Sequence, residues 1–122
     1  MPRYVARTAL SILSLALTLS LLARPVPAGD AAKGKMLYAS RCSFCHGVSG
    51  KGDGPAGAAL KPPPTNFASA AYWKSASLQA VKDAILNGKP NSAMVPFKSA
   101  LKAEDIEDLV AYLQTFSPAQ GQ

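Results

Sequence analysis

Histidine and cysteine are nearly absent from this sequence of 122 residues, which has one histidine and two cysteines. All three lie within five consecutive residues, as Cys42, Cys45 and His46. A closed structural zinc site needs four ligands, and the chain has no further cysteine or histidine to supply them. A disulfide between Cys42 and Cys45 would close a loop too small to constrain the unfolded chain much. These thiols therefore have some other use.

The sequence also lacks an apolar run of the ~20 residues that a membrane-spanning helix usually needs. Its longest run, Thr8–Ala23, is shorter and follows Arg3 and Arg7. Val26-Pro27-Ala28 comes after it and has small residues at the two positions that a signal peptidase reads, with cleavage after Ala28. This order is typical of a secretory signal peptide. We therefore predict that residues 1–28 are a cleaved signal peptide and that the protein is exported to the periplasm.

Two alternatives remain for this first segment. Cleavage after Ala23 is the lesser one, and an uncleaved N-terminal membrane anchor, flanked by Arg24, is the other. Cleavage after Ala28 leaves residues 29–122, which is enough for one domain. A domain of this size buries only ~60–70% of its unfolded surface, so its core is marginal without a ligand or crosslink.

Acidic residues are few, since seven Asp and Glu stand against thirteen Lys and Arg, for a net charge of +6. The predicted signal peptide contains three of the arginines and no acid, so its removal leaves +3. This modest charge does not support a nucleic-acid function. The lysines are spread along the mature chain, which is typical of a solvated surface; an acidic partner protein is the alternative. Membrane contact is expected only through partners, unless the signal is retained.

No segment has the alternating pattern of a strand, and we predict an all-α fold with long loops. Asp30 and Ser77 are candidate N-caps, and Gly88 is a candidate stop. Residues 47–66 are rich in glycine and proline, which is reasonable for a loop that wraps a rigid apolar ligand. Helices are predicted over residues 31–40, 69–74, 77–87 and 103–116. The last two have apolar stripes at helical spacing: Leu78, Val81 and Ile85 in one, and Ile106, Leu109, Val110 and Leu113 in the other.

Cys42, Cys45 and His46 form the sequence Cys-x-x-Cys-His, which is the pattern of covalent haem attachment. Two thiols three residues apart can reach both vinyl groups on one edge of a porphyrin, and the next residue then points its imidazole at the iron. A thioredoxin-like redox pair is the main alternative, but no βαβ pattern surrounds this motif. The sequence therefore predicts one covalent haem c.

His46 is predicted to fill one axial position of the iron, with its other ring nitrogen donating to a carbonyl among Pro62–Pro64. The chain has no second histidine for the other position. Of the two methionines outside the signal, Met36 is expected to be a core residue of the first helix. Met94 lies in a proline-flanked loop 48 residues after His46 and is the better candidate. A ligand from Lys89 or Lys98, or an open position, is the alternative.

Four stretches of the mature chain carry a resemblance to a known family, and two more are also similar: Gly34–Tyr38, Cys42–His46, Ala93–Phe97 and Leu109–Leu113, with Gly52–Pro55 and Leu60–Pro64. On these stretches the mature chain resembles the class I, mono-haem bacterial cytochromes c over almost its whole length. The resemblance implies a small cytochrome c fold of three to five helices around the haem, in which Gly34 and Tyr38 cross the last helix near Tyr112. It also implies that Met94 supplies sulfur to the iron. One departure is Lys102, where the last helix often has a Ser or Thr cap.

With His and Met on the iron, no coordination position is left for oxygen or peroxide, so we expect an electron carrier and not an enzyme. In a respiratory chain it would accept electrons from a membrane complex or dehydrogenase and pass them to an oxidase or reductase. The alternatives are a dedicated subunit of one oxidoreductase complex and a five-coordinate haem enzyme or sensor. Four aromatic side chains are expected to pack around the porphyrin or the helix crossing: Phe67, Tyr72, Trp73 and Phe97.

Overall fold

Four of the five described α-helices lie close to their predicted positions, and the short helix Ser43–His46 was not predicted. The computed structural model describes residues 28–120, and these contain no strand. The all-α prediction is confirmed. Two single 3-10 turns lie at Gly57–Ala59 and Pro118–Gln120. The five α-helices are α1 (Ala31–Arg41), α2 (Ser43–His46), α3 (Ala70–Ser75), α4 (Leu78–Asn87) and α5 (Ala103–Gln114).

Nearly all of the predicted signal peptide, residues 1–27, lies outside the described residues. Among the helices that are described, none is long and apolar enough to cross a membrane.

Polar caps fix where α1 and α4 begin. The Asp30 carboxylate accepts hydrogen bonds from the backbone N–H groups of Ala32 and Lys33, and the Ser77 hydroxyl accepts one from Ala80. Gly88 ends α4 with a φ of +69°, a left-handed conformation that suits glycine. Both predicted N-caps and the predicted stop are therefore confirmed.

Helix α5 begins without the usual serine or threonine. The Asp105 carboxylate instead accepts a hydrogen bond of 2.8 Å from the backbone N–H of Lys102, which satisfies one free donor of the helix N-terminus. Its negative charge in the first turn also suits the helix dipole. The departure at Lys102 thus leaves the start of the helix intact, and α5 buries the predicted apolar stripe: Ile106, Leu109, Val110 and Leu113.

Helices α1 and α5 cross at a glycine, as the resemblance implies. A Cβ on Gly34 would overlap the carbonyl of Asp108 and lie 2.9 Å from the Tyr112 Cβ. One turn further along α1, the ring of Tyr38 packs edge-on against Tyr112 with centroids 5.3 Å apart. The backbone N–H of Asp30 also donates to the Asp108 carboxylate. The first and last helices therefore form one closely packed unit.

We expect Gly34→Ala to lower the free energy of unfolding by roughly 2–3 kcal/mol, because the added methyl group forces the two helices apart. At an exposed helix position the same change raises stability by about 1 kcal/mol. The sign of the effect, measured by urea unfolding of the purified protein, therefore reports the contact. Ala39→Gly, at an exposed position of α1, is the control and should cost only about 1 kcal/mol. A higher free energy of unfolding in Gly34→Ala would contradict the close contact between α1 and α5 at Gly34.

Candidate functional site

A cavity of about 450 Å³ lies between α2, the segment 60–67, α4 and the loop that follows α4. Its volume is within the ~300–1,000 Å³ typical of sites for small molecules and cofactors. The walls are largely apolar, and Cys42, Cys45, His46 and Met94 all contribute to them. The structure therefore gathers the motif and the favoured methionine around one space.

The Cys-x-x-Cys-His motif is the tight turn that directly follows α1. The backbone N–H of Cys42 donates to the Tyr38 carbonyl, and the N–H groups of Cys45 and His46 donate back to the Cys42 carbonyl. The short helix α2 that results brings both thiols and the imidazole to the same cavity. The two cysteines are free and half-buried.

His46 is oriented by the segment that packs against it. Its Nδ1–H donates to the carbonyl of Thr65 at 3.2 Å, and its ring stacks on Phe67 with centroids 4.9 Å apart. Burial lowers the pKa of His46, although the Thr65 carbonyl opposes this shift. With Nδ1 as the donor, Nε2 keeps its lone pair and can bind a metal.

The acceptor for His46 is a correction to the sequence analysis, which placed it among Pro62–Pro64. The prolines do line the cavity, but the carbonyl that faces the imidazole belongs to Thr65, the residue immediately after them. Proline fixes its own φ angle, yet the direction of each carbonyl depends on the path of the whole loop. The nature of the acceptor, a backbone carbonyl, is as predicted.

The thiol of Cys42 is unlike that of a redox-active pair. Burial raises its pKa to about 11, with Arg41 acting in the opposite direction. Thioredoxin-like cysteines have a lowered pKa because the thiolate is the nucleophile. This result argues against the redox-pair alternative.

Met94 lies in a loop that hydrogen bonds fix to the end of α4. Its backbone carbonyl accepts a 3.0 Å bond from the N–H of Lys89, and its own N–H donates to the Ser92 hydroxyl. Further along the same loop, the N–H of Phe97 donates to the Ile85 carbonyl. The half-buried Met94 side chain thus reaches the cavity from a loop that is fixed at both ends.

The other sulfur candidate is placed differently. Met36 is 67% exposed and does not line the cavity, so its predicted core position is wrong. Gly34 and Tyr38 are four residues apart and share the buried face of α1, which turns the residue midway between them towards solvent. Of the two lysines considered as ligands, Lys89 lines the cavity and Lys98 is absent from its walls.

Three of the four aromatic residues singled out in the sequence line the cavity: Phe67, Tyr72 and Phe97. Trp73 instead packs against Phe67 and Tyr72, and its indole N–H donates to the Phe67 carbonyl at 2.6 Å. Sequence reasoning missed Ala80 and Ala84, which line the cavity from α4. Ala80 and Ala84 are four residues apart and lie beside the apolar stripe of α4, so both face the same way. Small residues in this pattern could have indicated a helix face that a flat ligand approaches closely.

The donor set and the walls fit a covalently attached haem. Two thiols and a neutral imidazole come from one turn, a thioether comes from another loop, and apolar side chains line most of the remaining space. Arg41 and Lys89 are the charged side chains on the walls, and no acidic residue lines this cavity in the part of the chain that the structure describes. The charged side chains on the walls thus have the sign opposite to that of the carboxylates a haem would bring.

A model of the cytochrome c family matches residues 31–117, which span the crossing helices and the whole cavity. The chain belongs to the cytochrome c family. Cytochrome c-554(547) of Halothiobacillus neapolitanus is 36% identical over 90 residues, covering 72% of this chain and 98% of the relative. Cytochrome c6 of Rippkaea orientalis is 35% identical over 95 residues, covering 76% and 77%.

Solved structures of c-type cytochromes share the fold. The KustC0563 c-type cytochrome matches with a TM-score of 0.58 and 31% identity, over 69% of this chain and 96% of that one. A chain of the Kuenenia stuttgartiensis reducing HAO-like protein complex Kustc0457/Kustc0458 matches with a TM-score of 0.66 and 28% identity, over 80% of this chain. The match covers 47% of that longer chain.

Membership of the cytochrome c family fixes the cofactor and the general role. The chain binds haem c covalently, and Cys42, Cys45 and His46 have the arrangement that this attachment uses. The family and the relatives named as cytochromes c support electron transfer as the general role. The class I cytochrome c resemblance seen in the sequence is thereby confirmed.

Proposed function

We propose that the protein is a one-electron carrier in which Cys42 and Cys45 form the thioethers and His46 and Met94 are the axial ligands of the haem iron. The observation that carries this proposal is the meeting of all four side chains at one apolar cavity. His46 and Met94 reach it from separate elements, the turn α2 and the loop after α4.

When bound, the haem supplies an iron that gains and loses one electron. The residues around it determine which oxidation state is favoured and what reaches the metal. The soft thioether of Met94 favours the ferrous state and raises the reduction potential. His46 stays in one tautomer because Thr65 accepts from Nδ1. With both axial positions filled, small ligands have no direct access to the iron.

The site offers little to a haem enzyme or sensor. Such a centre usually has an acid–base group beside an open position on the iron, and His46 is the chain's only histidine. No acidic side chain lines the cavity within residues 28–120. These features support electron transfer over ligand chemistry.

Partners and location are part of the proposal. Residues 1–28 have the pattern of a secretory signal, so the carrier would act in the periplasm, in a respiratory chain. A membrane complex or dehydrogenase would donate electrons, and an oxidase or reductase would accept them. The named structural relatives include a chain from a redox complex, which supports redox proteins as partners.

A dedicated subunit of one oxidoreductase complex is the second candidate. Phe44 lies between the two cysteines and is 67% exposed, and Val95, next to Met94, is 59% exposed. Exposed apolar side chains beside the site suit a lasting protein contact. Co-purification of the native protein in a stable complex would favour this candidate over a diffusing carrier.

Exposure to carbon monoxide tests the axial ligation on which the carrier function depends. We expect the reduced holoprotein at neutral pH to keep its absorption spectrum under carbon monoxide, because Met94 occupies the position that the gas would take. The Met94→Ala variant is the positive control and should bind the gas at once. Immediate binding by the unmodified protein would contradict the proposal and favour a five-coordinate enzyme or sensor.

A further inference from the structure

The hydroxyl group of Tyr38 makes a contact that the helix crossing does not require. Tyr38 is 2% exposed, and its ring packs on Tyr112 and Phe116 with centroids 5.3 Å away in each case. A phenylalanine ring could fill the same space. The hydroxyl instead donates a 2.6 Å hydrogen bond to the carbonyl of Gly47, the residue that follows His46. Burial raises the pKa of Tyr38, so the group remains a donor at neutral pH.

Gly47 determines how the chain leaves the His46 turn. Its N–H donates to the Ser43 carbonyl at 2.8 Å, which closes α2, and its φ of +79° redirects the backbone. The Gly47 carbonyl accepts from Tyr38 and also from the N–H of Gly50 at 3.1 Å. Tyr38 therefore ties the residue next to His46 to helix α1.

Gly50 connects Gly47 to the residue that stacks on the His46 imidazole. The Gly50 carbonyl accepts a 2.6 Å bond from the N–H of Phe67, whose ring stacks on His46. Gly50 also lies against Phe116, where an added Cβ would be 2.7 Å from the ring. The aromatic cluster of Tyr38, Tyr112 and Phe116 thus contacts both Gly47 and Gly50.

We propose that Tyr38 is a positioning residue for His46, through which the α1–α5 crossing sets the orientation of the imidazole towards the haem iron. The inference rests on the proposed ligand role of His46. Without the hydroxyl, Gly47 and the loop from Gly50 to Phe67 gain freedom, and the bond from His46 Nδ1 to Thr65 weakens. A less basic imidazole stabilises ferric iron less, so the reduction potential rises.

Tyr38→Phe removes only this hydroxyl, and Tyr112→Phe is the matched control. Tyr112 belongs to the same aromatic cluster, and its hydroxyl makes no hydrogen bond within the described residues. In the ferric holoprotein we expect Tyr38→Phe to shift the low-spin electron paramagnetic resonance g values, which report ligand orientation. The equilibrium constant for reduction of the haem by a fixed reference couple should also rise about threefold or more in Tyr38→Phe. Tyr112→Phe should change neither quantity.

Hydrogen exchange in the unmodified holoprotein is the second measurement and does not depend on how well a variant folds. The Gly50 and Phe67 amides lie in an irregular loop, but their link to the crossing should slow their exchange to within about tenfold of the Leu109 and Val110 amides in α5. Exchange a hundredfold faster would overturn the proposal. So would unchanged g values and potential in Tyr38→Phe. Failure of the proposed ligand role of His46 is distinguishable from failure of the Tyr38 proposal. In the first case the unmodified protein itself would lack the spectrum of a histidine-ligated low-spin haem.

Discussion

The double variant Cys42→Ala/Cys45→Ala is expected to lose covalent haem completely. Both thioether-forming sulfurs are then absent, and the chain has no other cysteine to replace them. The consequence should extend to the fold, because the cavity is about 450 Å³ and its walls are largely apolar. Leaving such a space dry costs on the order of 10 kcal/mol as an upper bound, comparable with the whole stability of a small domain. The helical circular dichroism should therefore fall along with the haem.

Haem staining of a denaturing gel measures the covalent bond directly, and circular dichroism of the same preparation measures the fold. Ser43→Ala is the matched control, since Ser43 lies inside the motif and its hydroxyl bonds, among residues 28–120, only to the Ala39 carbonyl. This control should stain as strongly as the unmodified chain. Retention of stain by the double variant would rule out the proposed attachment.

Met94→Ala is expected to have the largest effect on the iron while leaving the haem attached. Removal of the thioether should abolish the weak far-red charge-transfer band of methionine sulfur on ferric haem. Loss of this soft ligand should also lower the reduction potential by on the order of 100 mV or more, where ~59 mV corresponds to a tenfold change for one electron. Absorption spectra and a redox titration of the two holoproteins provide the measurement.

Met36→Ala is the control for this experiment. Met36 is 67% exposed on α1 and lies outside the cavity, so its loss should leave both the band and the potential unchanged. If the unmodified protein lacks the far-red band, Met94 does not bind the iron. In that case Lys89, which also lines the cavity, becomes the next ligand to substitute.

The sequence predicted the parts of the fold that depend on local rules. The stripe of apolar residues in α5, the Asp30 and Ser77 caps and the Gly88 stop all follow from helix periodicity and backbone chemistry. The error at Met36 was avoidable, since a residue midway between Gly34 and Tyr38 faces away from the surface that those two bury.

The details of the site depended on loops, where no periodic pattern exists. Sequence spacing could bring Met94 towards the cavity, but the choice of Thr65 over three neighbouring prolines depends on the exact path of the backbone. The hydrogen bond from the Tyr38 hydroxyl to the Gly47 carbonyl could not be predicted from the sequence either, because it joins a helix to a turn whose geometry depends on tertiary contacts. Residue types therefore predicted the chemistry of the site, and the contacts that orient it required the structure.

The crossing of α1 and α5 also makes the polypeptide a nearly closed ring. The backbone N–H of Asp30 donates to the carboxylate of Asp108, 78 positions away, so every residue that lines the cavity except Leu113 lies between the two ends of that contact. A single cut in an exposed loop would leave two fragments, each carrying one of the crossing helices. Such fragments retain the surfaces needed to reassociate, and the covalent haem stays on the fragment that carries Cys42 and Cys45.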